Sequence, residues 1–178
     1  MSIVLQSSGG GSVTIQEPTT ASNLTATLPA ATGTVMVSGN MPAFSAYAGT
    51  TTTLTSSTDV KIIFDTELFD TNSNYSSSRF TPTVAGYYQV NACASMNYWN
   101  GIIYCLAIYK NGSVYQYGQT AYPQTVGGVR ASISSIVYCN GSTDYIEIYG
   151  FQYAQSSNNV VSASQTATWF NASLIRAA

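Results

Sequence analysis

The chain of 178 residues contains no histidine. This removes the side chain that does most general acid–base work near neutrality and most often ligates metals. A Ser–His–Asp relay and a Cys–His pair are both excluded, although Ser and Thr are abundant. Ser–Lys chemistry would need Lys61 or Lys110, and each stands where a solvated strand or turn amine is expected. Paired carboxylates are the remaining route. Asp65, Glu67 and Asp70 gather near one strand end, and glycosidic hydrolysis uses two such groups. The simpler reading is a hydrated acidic loop at the rim of a β-sandwich. Within that loop, Asp70, Asn72 and Asn74 occupy positions one, three and five of a weak calcium motif. Tyr75 stands where such a loop turns on Gly, and Thr81 where its bidentate Glu belongs. The expectation is a non-enzymatic protein without a cofactor, calcium being the one weak candidate.

Aromatic residues offer contact rather than chemistry. There are fourteen tyrosines, against a charged fraction of 7%, far below the roughly 25% of an ordinary soluble domain. Tyr98 and Trp99 fall in the turn Asn97–Gly101, and Tyr115, Tyr117 and Tyr122 lie in and after a hairpin strand. Exposed Tyr and Trp give rigid amphipathic area suited to sugars or proteins. The strand tyrosines Tyr87, Tyr104, Tyr109 and Tyr145 fit burial between protomers instead. A net charge of −2 with five scattered basic residues gives no footprint for nucleic acid or an anionic membrane. The longest apolar run, Gly101 to Tyr109, is about half of a membrane span. The opening MSIVLQSSGGG lacks the features of a signal peptide. Three cysteines, Cys93, Cys105 and Cys139, read as buried thiols made in a reducing cytoplasm.

Two regions position these residues. Residues 1–40 hold no aromatic side chain and one charge, Glu17. Their short alternating pieces are Val13–Ile15, Leu24–Leu28 and Val35–Val37, bounded by Pro18, Pro29 and glycines. Such strands cannot form a core of their own, so the arm is expected to lie on a sister chain or a larger assembly. Residues 41–178 read as all-β, with strands at Val60–Phe64, Gly86–Ala94, Ile102–Tyr109, Ser132–Tyr138, Tyr145–Tyr149 and Thr166–Ile175. Asn111-Gly112 marks a tight hairpin, and Asn140–Asp144 links two more strands. Apolar residues occur on both faces of several strands, as in Ile102–Tyr109. Burying the second face against symmetry mates, most simply in a C3 ring, accounts for the excess.

Residues 41–178 resemble the C1q/tumour-necrosis-factor-like jelly-roll domain. The similarity rests on Pro42–Ala46, Ile62–Asp65 followed by Tyr75, Phe80-Thr81 with Gly86-Tyr-Tyr88, Ala107–Gly112 and Thr168–Ile175, in that order. Pro82 stands one position earlier than that family's pattern, Gly141–Asp144 is lengthened, and no collagen-like stalk precedes the domain. The resemblance implies a homotrimeric jelly-roll sandwich with Phe44, Tyr104, Trp169, Phe170 and Leu174 in the trimer core. The arm, through Gly11–Pro18 and Asn23–Asn40, is similar to low-complexity β segments at the front of tailed-bacteriophage fibre and surface proteins.

Together the halves imply an arm at 1–40 that anchors to a virion, with Val13, Ile15, Leu24, Leu28, Val35 and Val37 as anchor side chains. The knob at 41–178 would then decorate or cement the capsid exterior. The expected partners are its own copies and other virion proteins, such as major capsid or tail proteins, with synthesis in the host cytoplasm. The alternative is a short tail or head fibre whose knob binds a host-surface glycan or protein through Tyr98, Trp99, Tyr115 and Tyr117. A secreted C1q-like signalling module is the third reading, disfavoured by the missing signal and stalk.

Overall fold

The computed structural model describes residues 2–16, 19–23, 25, 27, 30, 32–33, 35–98, 103–122, 127–153 and 159–178, with side chains except at 2, 97, 98, 127, 128 and 159. Two compact units result, 1–33 and 34–178. In the first, β1 (Ser2–Gln6) and β2 (Ser12–Gln16) form an antiparallel hairpin. Its turn is closed by Ser7 N–H donating to the Gly11 carbonyl at 2.7 Å. The strand at Val13–Ile15 was anticipated, but its partner β1 was not. Val35–Val37 is not a strand; it leads into a 3-10 turn at Ser38–Asn40. Leu24, Leu28 and Trp99 lie outside the described residues. The change of unit falls at 33/34 rather than 40/41, because Met36 packs on the sandwich core and Asn72 Nδ2 donates to the Gly39 carbonyl at 2.9 Å.

The second unit contains β3 (Ala43–Tyr47), β4 (Thr52–Leu54), β5 (Asp59–Lys61), β6 (Thr66–Asp70), β7 (Tyr75–Ser76), β8 (Arg79–Phe80) and β9 (Ala85–Tyr98). It continues with β10 (Ile103–Lys110), β11 (Ser113–Tyr117), β12 (Gly127–Asn140), β13 (Ile146–Tyr153), β14 (Asn159–Val161) and β15 (Trp169–Ala177). No α-helix occurs among the described residues. One sheet runs β12-β9-β15-β3-β6, with β14 following β15 along the same edge of β9 and β4 beyond it. The other runs β11-β10-β13, and the far edge of β13 pairs with β5 and then β8, which carries β7.

Strict two-residue alternation builds the core between these sheets. In β9, Tyr88, Val90, Ala92, Ala94 and Met96 are buried, while Tyr87, Gln89, Asn91, Cys93 and Ser95 point outward. From the second sheet come Tyr104, Leu106, Ile108, Ile146 and Ile148, all fully buried. An aromatic cluster fills one end. Phe44 stacks on Tyr75 and Phe80 at 4.5 and 4.6 Å between ring centroids and meets Phe170 edge-on at 4.8 Å.

The residues carrying the family resemblance have mechanical roles. Phe80 packs edge-on against Tyr88 at 5.4 Å, and the Tyr88 hydroxyl donates to the Val84 carbonyl at 2.7 Å. Gly86 lies where β15 bulges between Leu174 and Arg176. A Cβ there would strike the Arg176 carbonyl oxygen and come within 2.7 Å of Leu174 Cδ1. Asn111 and Gly112 adopt φ of 54° and 77°, as a two-residue hairpin turn of matching twist requires. Gly86→Ala, measured by denaturant unfolding, is expected to cost about 1–3 kcal/mol through this overpacking.

Candidate assembly and binding surfaces

Pairing register selects what the first sheet shows to the outside. Tyr138 opposes Tyr87, Ile136 opposes Gln89, and Asn171 opposes Asn91. The outward face thus carries Tyr87, Ile136, Tyr138 and Ile175, exposed by 43%, 49%, 41% and 51%. Tyr87 and Tyr138 lie 5.4 Å apart, centroid to centroid. The half-buried Trp169 and Tyr47 are a cross-strand pair on the same face. Across the middle runs an uncharged polar ladder. Asn91 Nδ2 donates to Asn171 Oδ1 at 3.1 Å, and both Gln89 Nε2 and the Ser134 hydroxyl donate to Asn91 Oδ1, at 3.2 and 2.9 Å. Strands β3, β9, β12 and β15 contain no acidic residue; their two charges, Arg130 opposite Ser95 and Arg176 opposite Tyr87, are both exposed on this face, so it mixes apolar and cationic side chains around a neutral centre.

This placement corrects the expected trimer core. Phe44, Tyr104, Phe170 and Leu174 are at most 5% exposed within a single chain, which leaves them no surface for a second copy. Tyr104 also belongs to the other sheet, and its hydroxyl is buried with no hydrogen-bond partner among the described residues. Of the five residues, Trp169 alone faces out. Tyr47, Ile136 and Ile175 were missed; the alternation anchored by Val90 and Phe170 could have found them. The second apolar face of β10 likewise needs no symmetry mate in full. Cys105 and Ala107 are small, sit opposite Phe151 and Tyr149, and are already buried.

The outer face of the second sheet carries a phenol–carboxylate cluster. Tyr109 stacks on Tyr149 at 3.8 Å, and Asp59 Oδ2 accepts the Tyr109 hydroxyl at 2.7 Å and the Tyr117 hydroxyl at 3.1 Å. Burial first, then the bond to Asp59, holds the Tyr109 phenol well above its ordinary pKa. Tyr117 is 52% exposed, and Tyr115, whose hydroxyl donates to the Ile136 carbonyl at 3.2 Å, is 47% exposed. The backbone of Tyr98 ends β9 rather than lying in a turn.

The calcium candidates are committed elsewhere. Asp70 Oδ1 and Oδ2 accept the N–H groups of Asn72 and Tyr75 at 3.2 and 2.6 Å. Asn72 Oδ1 accepts the Thr71 hydroxyl at 2.7 Å, and Asn74 Oδ1 accepts Thr83 N–H at 3.2 Å. In this structure these oxygens close a hydrogen-bonded turn. Asp65 accepts Gly49 N–H at 2.6 Å and the Thr50 hydroxyl at 2.5 Å. With Glu67, Tyr75 and Ser76–Ser78 it borders a cavity of about 390 Å³. No group of three or more Cys, Asp or Glu suited to a metal is found among the described residues.

Neither lysine is freely solvated. Lys61 Nζ and Arg79 Nε both reach Glu147 Oε1, at 2.7 and 2.9 Å, with Glu147 itself 2% exposed. Lys110 Nζ lies 2.9 Å from Asp144 Oδ2. Asp144 also accepts Asn111 Nδ2 at 2.7 Å and Asn140 N–H at 3.0 Å, tying the β10–β11 turn to the β12–β13 turn. The bond from Asn111 foremost, with help from Lys110 and the Asn140 N–H, holds the Asp144 carboxyl below its usual value despite burial. For Glu147 burial works upward, and the bonds from Lys61 and Arg79 outweigh it. All three cysteines are free thiols; burial pushes Cys139 up to about 12.

No family model matches the chain, and no curated protein matches it. Solved structures do match. The globular domain of zebrafish complement 1qA protein is 20% identical with a TM-score of 0.57, over 77% of this chain and 99% of that one. Murine APRIL at pH 5.0 gives 7% identity and a TM-score of 0.58, over 76% and 99%. Eiger TNF from S. frugiperda gives 8% and 0.53, over 78% and 95%. The fold is therefore the all-β C1q/TNF-like jelly roll.

Because the carboxyls of Asp65, Asp144 and Glu147 are lowered in the folded state, their contribution is present above the ordinary carboxylate range near pH 4 and is lost as pH falls through the depressed values. The melting temperature is expected to fall below about pH 4. In Asp144→Asn it starts lower at neutral pH and falls less on acidification, as read by thermal unfolding.

Proposed function

We propose that this chain is a non-enzymatic structural protein of a tailed-bacteriophage exterior, a trimeric decoration or cement protein attached through its N-terminal arm. The observation that carries the reading is the first sheet, which presents Tyr87, Ile136, Tyr138 and Ile175 to water on the side away from its own core. An exposed apolar patch of this kind marks an interface, and a threefold ring closes it without leaving free ends. The absence of acidic residues from the four strands lets identical faces meet without buried unpaired carboxylates, provided that the exposed Arg130 and Arg176 of the same face keep their guanidinium groups in water. The arm supports attachment: among the described residues neither edge of its hairpin carries a further strand, so either can accept a strand of a particle protein by main-chain hydrogen bonding, and three tethered arms multiply weak contacts. Val35 and Val37, exposed by 71% and 59%, remain as anchor side chains. Free thiols in all three cysteines suit synthesis in a reducing host cytoplasm.

The fibre alternative draws on Tyr115 and Tyr117, which stand in the open on β11 beside the Asp59 cluster and could stack on a host-surface glycan or protein.

Ile136→Lys is expected to convert trimers to monomers in sedimentation velocity, since three cations would be buried unpaired; an unchanged trimer removes the assigned face. Deleting residues 1–33 together with Val35→Ser and Val37→Ser is expected to abolish binding of knob trimers to the particle. Undiminished particle binding, together with loss of host-cell adsorption in Tyr115→Ala/Tyr117→Ala, would instead select the fibre reading.

A further inference from the structure

The hairpin β1–β2 sorts its side chains by register. Ile3 pairs with Ile15 and Leu5 with Val13, so these four aliphatics share one face. The opposite face carries Val4, Gln6, Ser12 and Thr14. On the aliphatic face every side chain is more than half exposed: Ile3 59%, Leu5 55%, Val13 62% and Ile15 56%. A lone two-stranded ribbon is marginal in water. Burying such a side chain fully is worth about 1.5–3 kcal/mol, so this ribbon stays formed only when its aliphatic face is covered.

The size of the face says what covers it. Each hairpin offers four half-exposed aliphatic side chains, far fewer than the roughly 20–30 residues a side of a stable standard interface. Two free hairpins would not hold together, nor would a hairpin hold an untethered foreign protein. Copies already joined through their sandwiches are different, because tethering raises the effective concentration of one hairpin at another to the millimolar range. Residues 2–16 carry no charged side chain, so like faces meet without repulsion. Ile, Leu and Val opposed by Ile, Leu and Val are complementary to themselves.

We infer that the aliphatic face of the hairpin packs against the same face of sister copies, forming a second, separate zipper in the assembled protein, with the polar face and both strand edges turned outward. This rests on the proposed self-assembly and adds to it: Val13 and Ile15 become contacts between copies rather than contacts with the particle.

Single cysteines test it in the full chain. Ile15→Cys and Leu5→Cys are placed on the aliphatic face and Thr14→Cys on the polar one, with the parent chain as control for its own three thiols. After copper-phenanthroline oxidation at nanomolar chain concentration, Ile15→Cys and Leu5→Cys are expected to run as covalent dimers on a non-reducing gel. Thr14→Cys and the parent are expected to run as single chains. Sedimentation of each unoxidised variant reports the assembly separately. Trimers that give no Ile15 or Leu5 link, or that link equally at Thr14, overturn the zipper while leaving the assembly intact. A monomer in sedimentation overturns the self-assembly, and the zipper with it.

Discussion

Fourteen residues of β9 carry the organisation of the sandwich. The strand pairs along its whole length with β12 on one side, and on the other with β15 and then β14. Each partnership imposes the same alternation, so every second residue is committed to the core and its neighbours to the outside. A slip of one residue against β12 would turn Val90, Ala92 and Ala94 outward and bring Asn91 and Gln89 into the core, stranding their amides. The register is thus held by the cost of the alternative as much as by the contacts made. The outward face follows from the same choice: once Tyr88 goes in to meet Phe80, Tyr87 must come out to meet Tyr138.

Polar ties lock the parts that alternation does not reach. Asp144 joins two turns from different sheets through Asn111, Lys110 and its own loop. Glu147 gathers Lys61 and Arg79 over the second sheet. These ties use four of the twelve charged side chains within two clusters, plus Asp144 itself. A chain with so few charges has spent many of them on its own architecture, and little remains to ward off contact with other molecules. That scarcity and the apolar outward face are two aspects of one composition.

Much of this was readable in the sequence, at the level of elements. The Asn111-Gly112 turn announces itself because only residues tolerant of positive φ fit there. The Phe80–Tyr88 segment was legible because its glycine and tyrosine are fixed by close backbone approach and a buried hydroxyl. Side-chain direction was harder. Phe44, Tyr104 and Phe170 look like interface aromatics when strands are read as generally greasy, yet each takes the inward phase of its strand. Only pairing shows which phase is inward. The strand β1 escaped notice because Ser2–Gln6 becomes meaningful only beside Ser12–Gln16. The calcium motif meets a related limit: Asn and Asp oxygens that could ligate a cation serve equally well to close a turn, and spacing alone does not separate the two uses.

The antiparallel pairing of β3 with β15 has a directional consequence. Ala43 sits opposite Ser173, and Gly86 opposite Ala177, so the polypeptide enters and leaves the sandwich at one pole. Strand β9 ends and β14 begins at the other pole, where Asn97 sits opposite Val160, so the domain has two structurally distinct ends.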